Sequence, residues 1–371
     1  MHSRIFFGSL LLALATVRPA SAQTPGAPPS NMATMASIAA FSTEQVTGVT
    51  VSRGGRVFVN FPDWSDAHSI SVAEIVDGKP RPYPNGEWNS PGTPKDHFVC
   101  VQSVYVDESD SLWVLDPAAP KMKETVSGGP KLVKIDLVKN EVARTIAFSP
   151  EIAPKNSYLN DVRVDVKTQT AYLTDSGLGA LIVVDLRTGK ARRLLENDPS
   201  TAAEKDFKLT VEGKPLLGEN GKPPQINSDG IALDHTGGWL YFHALTASTL
   251  YRIRTSDLQD RGLTKEKLSA AVERVAGTPA PDGMMFGPDG KLYLTDSEHS
   301  AINRFDPVTK KLSTVVADGR LRWPDTLAWG PNGTLYVTVS QIHKMPRFNG
   351  GKSTRTTPYQ VFKMNGVLAA P

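Results

Sequence analysis

One hairpin pattern recurs six times along the chain, and this repeat limits the possible folds more than any other feature of the sequence. In its clearest copy, Asp282 is followed by a Pro-Asp-Gly turn at 288–290, an apolar-aromatic pair at 292–293 and a second acidic residue, Asp296. Each copy is typical of a strand, a tight turn and a second strand. The six copies start at Thr47, Gln102, Asp161, Asp229, Asp282 and Asp325.

The spacing of the copies leaves room for two more strands in each repeat. Successive copies start about fifty residues apart, and strand-like segments at 180–195, 248–255 and 301–316 fill three of the intervals. Four strands per unit, repeated six times, predict an all-β fold, a six-bladed β-propeller with four antiparallel strands per blade. The alternatives are a β-helix, which needs shorter and stricter repeats, or two sandwiches. The best helix candidate is an insert at 264–275.

Both chain ends are needed to close such a ring. The first hairpin starts at Thr47 and the last at Asp325, so strand-forming residues remain at each end. We predict that residues 359–366 or residues 36–42 complete a blade shared between the termini. This closure removes exposed sheet edges.

Composition and the N-terminal segment indicate an exported globular protein. The chain has 371 residues, 40% of them hydrophobic, and a net charge of +3, which allows a large core and does not indicate a nucleic-acid partner. Residues 1–22 have the pattern of a signal peptide, and their apolar run at 5–17 is too short to span a bilayer. Residues 23–37 are expected to be a flexible leader and residues 38–371 a single domain, periplasmic or secreted. The one cysteine, Cys100, allows no internal disulfide and is expected to be buried and structural.

Propeller geometry places the repeated polar positions together. The first strand of a blade is innermost, and the second strand returns antiparallel, so the two ends of the pattern face one mouth of the central channel. The residues expected around that mouth are Thr47, Gln102, Asp161, Asp229, Asp282 and Asp325. The residues expected just outside them are Asp116, Asp175, Ser176, His243, Asp296 and Ser297. The hairpin turns at 289–290 and 332–333 are expected on the opposite face.

Four carboxylates around one axis repel each other, so the cluster requires a bound cation, raised pKa values or hydrogen-bond donors. Ca²⁺ is the natural partner of carboxylate and amide oxygens, and an amine would also fit. Taken singly, each Asp is better explained as a turn former. His243 and His97 are candidate general bases, and His97 lies five residues before Gln102. Trp323, two residues before Asp325, is a candidate pocket wall.

Four separated stretches resemble bacterial members of the major royal jelly protein/yellow family. They are residues 48–64, 101–118, 171–186 and 228–253. The resemblance covers residues 40–365 and implies a six-bladed propeller. For the insect branch it implies secretion and binding of small molecules such as amines and sterols, with dopachrome tautomerase activity in some members. The single Cys100 departs from the disulfide-bonded insect proteins.

A more distant similarity is to the senescence marker/gluconolactonase propellers, which hold a divalent metal, usually Ca²⁺ or Zn²⁺, over the channel. The segment 160–165 is similar to their Asn-Asp-Gly segment, which implies a metal or substrate contact for Asn160. The same comparison implies a metal ligand at Asp229, and a metal ligand and general base at Asp282. This chain departs from the pattern in the first blade, where Thr47 lies in the stretch that carries a metal-binding Glu in those enzymes.

These observations support three functions. The first, which the sequence favours, is an enzyme that acts on a small cyclic ester or a tautomerisable ring with Ca²⁺ held by Asn160, Asp229 and Asp282. Asp282 and His243 are its candidate catalytic residues. The candidate substrate contacts are Asn160, Asp161, Asp325, Gln102, Trp323 and His97. The second function is non-catalytic binding of a small amine, and the third is an extracellular interaction scaffold, because one fold supports many functions.

Overall fold

Six four-stranded antiparallel sheets surround a central axis in the computed structural model, which describes residues 34–64 and 68–369. The predicted six-bladed β-propeller is therefore confirmed. The signal peptide predicted at 1–22 lies outside the described residues, so export stays a prediction. Among the residues that are described, no helix is long and apolar enough to cross a membrane.

The chain runs through blades 1 to 6 in order, and the innermost strand comes first in each. The strands of blades 1 and 2, from the axis outward, are Gly48–Val51, Val57–Asn60, Val72–Val76 and Lys79–Pro82, then Ser103–Val106, Ser111–Asp116, Lys131–Asp136 and Glu141–Ala147. Those of blades 3 and 4 are Leu159–Asp165, Thr170–Asp175, Ala180–Asp185 and Ala191–Leu194, then Ser228–Leu233, Trp239–Ala244, Thr249–Arg254 and Glu273–Gly277. Those of blades 5 and 6 are Met284–Phe286, Leu292–Asp296, Ala301–Phe305 and Leu312–Ala317, then Pro324–Trp329, Leu335–Val339, Tyr359–Asn365 and Thr34–Phe41.

Blade 6 closes the ring with strands from both ends of the chain. Thr34–Phe41 pairs antiparallel with Tyr359–Asn365, and Phe41 lies opposite Tyr359. The predicted shared blade is confirmed, and both terminal segments contribute to it. The inner strand Pro324–Trp329 also contacts the inner strand Gly48–Val51 of blade 1, which completes the circle.

Two glycines allow neighbouring inner strands to approach closely. A Cβ atom at Gly283 would lie 2.1 Å from the backbone oxygen of Asp325, and one at Gly230 would lie 2.8 Å from that of Asp282. Both distances are shorter than real Cβ contacts, so these positions require glycine. Each of these glycines follows an aspartate, and the close approach brings the aspartates of blades 4, 5 and 6 towards one axis.

The helical insert is shorter than predicted. Thr264 caps a helix that covers only Lys265–Ala270, and Glu273–Gly277 is the outer strand of blade 4. Pairing with Thr249–Arg254 stabilises the strand, and Arg252 forms an ion pair with Glu273 at 2.7 Å. The other helices described are Gly86–Asn89, Thr255–Gln259 and the 3-10 turns Pro120–Met122, Pro331–Gly333, Ile342–Lys344, Pro346–Phe348 and Val367–Ala369; a small hairpin pairs Thr210–Val211 with Lys214–Pro215.

Candidate functional site

A cleft with a volume of about 220 Å³ opens at the end of the propeller where the inner strands begin. Its floor is polar and consists of Gln102, Asn160, Asp229 and Asp282, which come from blades 2 to 5. Its walls are mostly apolar and come from loops. The apolar wall residues are Trp64, Met122, Ile226, Leu245, Ile342 and Phe348, and the cations Lys123 and Arg347 also line the cleft. A small molecule with both apolar and polar groups fits such a cavity.

Asp229 and Asp282 form a hydrogen-bonded carboxyl pair on the floor of the cleft. Burial is the main cause that raises both pKa values, to about 7 for Asp282 and well above the usual range for Asp229. The two carboxyl groups titrate as a pair, and the pKa of Asp229 is raised further than that of Asp282, so Asp229 is the member that is protonated more readily. At neutral pH the pair therefore contains one protonated acid and one carboxyl group in mid-titration, which is the arrangement that acid–base catalysis needs.

A chain of hydrogen bonds connects the cleft wall to this pair. Trp64 Nε1 donates to the Tyr158 hydroxyl at 2.6 Å, and that hydroxyl donates to Gln102 Oε1 at 3.0 Å. The Gln102 amide donates to Asn160 Oδ1 at 3.2 Å. Asn160 Nδ2 then donates to Asp229 Oδ2 at 2.8 Å. Each donor in the chain fixes the orientation of the next group, so the floor of the cleft is pre-organised.

Trp323 holds Asp282 from below and does not line the cleft. Its Nε1 donates to Asp282 Oδ2 at 2.5 Å, and its ring stacks on His343 with centroids 5.9 Å apart. The residue is fully buried and has a backbone φ of 63°, in the left-handed region that bulky residues rarely occupy. Such strain persists only where the surroundings enforce it and is frequent at functional sites.

The other predicted mouth residues lie near the pair but do not line the cleft. Asp161 accepts from Ser103 Oγ at 3.0 Å and lies 3.6 Å from the guanidinium of Arg163. Asp325 is buried, and burial raises its pKa well above the usual range. Thr47 Oγ1 accepts from Asn60 at 2.9 Å. Burial, together with repulsion from neighbouring carboxyl groups at Asp229, Asp282 and Asp325, raises the pKa values of all four carboxyl groups.

Neither predicted histidine reaches the cleft. His243 is fully buried, with Nε2 3.1 Å from Thr278 Oγ1 and Nδ1 2.6 Å from the Ala244 carbonyl oxygen, and burial lowers its pKa to about 4. His97 lies on a loop, where Nδ1 is 2.8 Å from the Glu87 carbonyl oxygen. The structure therefore gives Asp282 a carboxyl partner, Asp229, in place of an imidazole.

The acidic residues that end the second strands hold loops in place. Asp175 accepts from Ser157 Oγ, the Tyr158 backbone N–H and Arg193 Nη1 at 2.7–2.9 Å, and so positions the segment that brings Tyr158 into the cleft. Asp116 likewise accepts from the backbone N–H of Cys100. Cys100 is buried, as expected, and burial raises the pKa of its thiol. The residues that end the second strands thus hold loops, whereas the residues that begin the first strands form the floor of the cleft, although both sets lie at the same end of their hairpins.

The described residues do not fit a metal ion in this arrangement. Asn160 turns its amide nitrogen towards Asp229, with Nδ2 2.8 Å from Asp229 Oδ2, and its oxygen Oδ1 accepts from Gln102, so that oxygen is not placed to share a cation with Asp229. Within residues 34–64 and 68–369, no three His, Cys, Asp or Glu side chains gather closely enough to hold a metal ion. Binding of Ca²⁺ by Asn160, Asp229 and Asp282 stays a prediction.

Asp282 should make the folded state less stable as pH rises. An aspartate in an unfolded chain titrates near 3.9, whereas Asp282 titrates at about 7 in the fold. The native state thus binds this proton more tightly, and the resulting stability is present at acid pH and lost as pH rises through about 7. We expect the Tm of the wild type to fall more than that of Asp282→Asn between about pH 5 and about pH 8.

The control is Asp289→Asn, because Asp289 lies in the exposed hairpin turn of blade 5, and its partners, the Lys291 backbone N–H and the Tyr293 hydroxyl, are separate from the Asp229–Asp282 pair. Its Tm should follow that of the wild type at both pH values. Thermal unfolding of the three proteins measures the difference. An equal fall in Tm for Asp282→Asn and the wild type would contradict the raised pKa of Asp282.

Comparison with known proteins identifies relatives over most of the chain. The sequence model of the family described as "Major royal jelly protein" matches residues 99–365. Protein yellow of Drosophila guanche is 26% identical over 235 residues, which are 57% of this chain and 40% of that protein. Major royal jelly protein 2 of Apis mellifera is 25% identical over 226 residues, which are 58% of this chain and 42% of that protein. The chain thus spans less than half the length of these curated relatives.

Solved structures share the fold. A gluconolactonase from Xanthomonas campestris has a TM-score of 0.54 at 12% identity, with 94% of this chain and 98% of that chain covered. A luciferin-regenerating enzyme also has a TM-score of 0.54 at 12% identity, with 90% of this chain and 95% of that chain covered. At such identities the similarity shows the propeller fold alone.

Proposed function

The chain belongs to the major royal jelly protein family, and within that family we propose that it is an exported enzyme that tautomerises a small cyclic molecule by proton transfer. The observation that carries the proposal is the Asp229–Asp282 pair on the floor of the cleft. One member holds a proton at neutral pH, and the other has a pKa of about 7. General acid–base catalysis is most effective when the pKa of the catalytic group lies near the working pH.

The two carboxyl groups have complementary roles in this mechanism. Asp282, as carboxylate, takes a proton from the carbon next to a carbonyl group, and the C–H bond breaks. Asp229, as carboxylic acid, donates its proton to the carbonyl oxygen, so that an enol forms. The proton on Asp282 then passes to Asp229 through their mutual hydrogen bond, which restores the starting state without any co-reactant. Trp323 keeps the Asp282 carboxylate in place through its 2.5 Å hydrogen bond.

The cleft favours a small ring that carries a negative group. Its volume of about 220 Å³ accommodates one or two fused rings between the apolar walls. Lys123 and Arg347 would pair with a negative substituent at the side of the cleft, away from the polar floor. Tautomerisation is preferred to lactone hydrolysis because it needs only an acid and a base held side by side, which the Asp229–Asp282 pair supplies, and it needs no positioned water.

The test is exchange of substrate carbon-bound hydrogen with solvent deuterium, followed by NMR. The probes are dopachrome, cyclohexane-1,2-dione and glucono-δ-lactone, of which the first two form enols readily. The proposal expects catalysed exchange or isomerisation of at least one enolisable probe by the wild type. Lactone hydrolysis without enol formation would instead support a hydrolase.

Non-catalytic binding of an amine is the second candidate. Above about pH 7 the carboxylate of Asp282 is ionised in a buried site, and an ammonium group would compensate this charge. Calorimetric titration with a small aromatic amine separates the two functions. Tight binding without turnover of any probe would favour the binding protein.

Metal content provides an independent check. Within residues 34–64 and 68–369 no three His, Cys, Asp or Glu side chains gather closely enough to hold a metal ion, so we expect no stoichiometric Ca²⁺ or Zn²⁺ after extensive dialysis. Elemental analysis of the purified protein measures it. One bound Ca²⁺ per chain, lost in Asp229→Asn, would establish a metal site and overturn the metal-free mechanism.

A further inference from the structure

A second cavity, with a volume of about 310 Å³, lies at the opposite end of the inner strands. Every blade contributes to its lining, with residues at or near the ends of the inner strands. One lining residue from each blade, in blade order, is Val51, Tyr105, Arg163, Leu233, Phe286 and Trp329. Because the first cleft lies where these strands begin, the propeller has a cavity at each mouth of its channel.

Two buried hydrogen-bond donors in the lining of this cavity lack acceptors. Arg163 is 6% exposed, and its two terminal nitrogens donate to the carbonyl oxygens of Val162 and Met284, each at 2.7 Å. Its Nε has no acceptor among the described residues, and neither has the indole Nε1 of Trp329. A buried donor without an acceptor destabilises a protein by about 1–3 kcal/mol, so two in one cavity indicate that an acceptor belongs there.

The acidic residues of the same cavity do not supply that acceptor. Both oxygens of Asp107 are engaged, for example by Trp113 Nε1 at 2.7 Å. Asp234 accepts from the backbone of its own hairpin turn, including the Gly238 N–H at 2.8 Å. Glu108 is exposed at the rim, where Arg53 donates to its carbonyl oxygen.

The charge of Arg163 is only loosely paired within the protein. Its closest carboxylate oxygen, on Asp161, lies 3.6 Å away, which exceeds a normal hydrogen bond. A charged acceptor in the cavity would therefore gain an ion pair as well as hydrogen bonds.

Fixed aromatic rings form the walls. Trp329 packs edge-on against Tyr293 with centroids 4.9 Å apart, and Phe286 packs edge-on against Tyr241 at 5.2 Å. The Tyr105 ring lies 5.3 Å from the Arg163 guanidinium. We propose that this second mouth binds a planar aromatic carboxylate, with its ring against Phe286 and its carboxylate accepting from Arg163 Nε and Trp329 Nε1.

The test is calorimetric titration with 2-naphthoate, compared with the neutral 2-naphthalenemethanol. We expect saturable binding of one naphthoate at this mouth and affinity at least about tenfold weaker for the alcohol, since a hydrogen bond to a charged group contributes about 1.5–3 kcal/mol. Trp329→Phe keeps an aromatic ring and removes one donor, so it should weaken naphthoate binding about tenfold. Equal affinity for acid and alcohol, or no saturable binding of the acid, would overturn the proposal.

Two further variants show which cavity binds naphthoate, and they do so even if Trp329→Phe fails to fold. Val106 is half-buried in the lining, so Val106→Trp should fill the cavity from its rim and abolish the binding. Arg347→Ala alters the first cleft and should leave naphthoate affinity unchanged. Loss of binding in Arg347→Ala together with full affinity in Val106→Trp would assign the ligand to the first cleft and refute the second site, whatever the outcome for catalysis.

Discussion

Asp282→Asn is expected to lower the rate of proton transfer roughly 10²–10⁴-fold, the usual contribution of a positioned acid–base group. Asparagine has nearly the same shape, and its Oδ1 can still accept from Trp323 Nε1, which donates to Asp282 at 2.5 Å in the wild type. It cannot take a proton at neutral pH, however. The loss should appear in kcat for the enolisable probes, with KM little changed.

Matched variants separate this loss of catalysis from a loss of activity caused by misfolding. Asp289→Asn introduces the same change in an exposed turn of the same blade and should retain full activity. Asp229→Asn removes the acid instead of the base and should also lose activity, because the two groups act on one substrate. Wild-type rates in Asp282→Asn would show that Asp282 has a purely structural role. They would favour non-catalytic binding of an amine as the function.

Deletion of residues 355–371 should abolish soluble folding. It removes Tyr359–Asn365, which lies between Leu335–Val339 and Thr34–Phe41 in blade 6. Its loss leaves two strands without a common partner and opens an edge in the ring, which promotes aggregation. Expression and solubility of the deleted protein, compared with the full chain, measure the effect; an unchanged Tm would contradict closure by the chain ends.

Point variants on the same strand measure how much single residues of Tyr359–Asn365 contribute to the free energy of unfolding. Val361 is fully buried between blades 6 and 1, so Val361→Asp buries an unpaired charge and should reduce the free energy of unfolding by about 4 kcal/mol or more. Lys363, two residues further, is exposed. Lys363→Ala should therefore stay within about 0.5 kcal/mol of the wild type.

The fold could be predicted from the sequence because its signals are local and repeat. Each hairpin carries its own turn residues, and six such hairpins with room for two more strands require a ring of six blades. Even the shared blade followed from the position of the first and last copies. The helix at 264–275 was predicted too long because pairing with Thr249–Arg254, a tertiary interaction, makes Glu273–Gly277 a strand.

The site could be predicted only in part. Asp229 and Asp282 converge as expected, since both begin inner strands and both precede a glycine that permits close approach. Which residues surround them depends on loops without periodicity, so the segment 342–348 was missed. Tyr158 had a signal, because it lies two residues before Asn160 and thus on the same side of an extended chain.

The order of protonation was beyond sequence reasoning. It depends on burial and on a hydrogen bond between residues of different blades, neither of which a spacing pattern contains. The left-handed backbone of Trp323, which fixes its indole beneath Asp282, is likewise set by packing around it.

The most direct test of the account is the pH dependence of solvent-deuterium exchange into the enolisable probes. The exchange rate should rise as pH increases through about 7, because Asp282 must be ionised to take the proton from the substrate carbon. The rate should fall again at higher pH, when Asp229 loses the proton it donates. A rate without this rise, or equal exchange by the wild type and Asp282→Asn across the pH range, would contradict acid–base catalysis by the carboxyl pair.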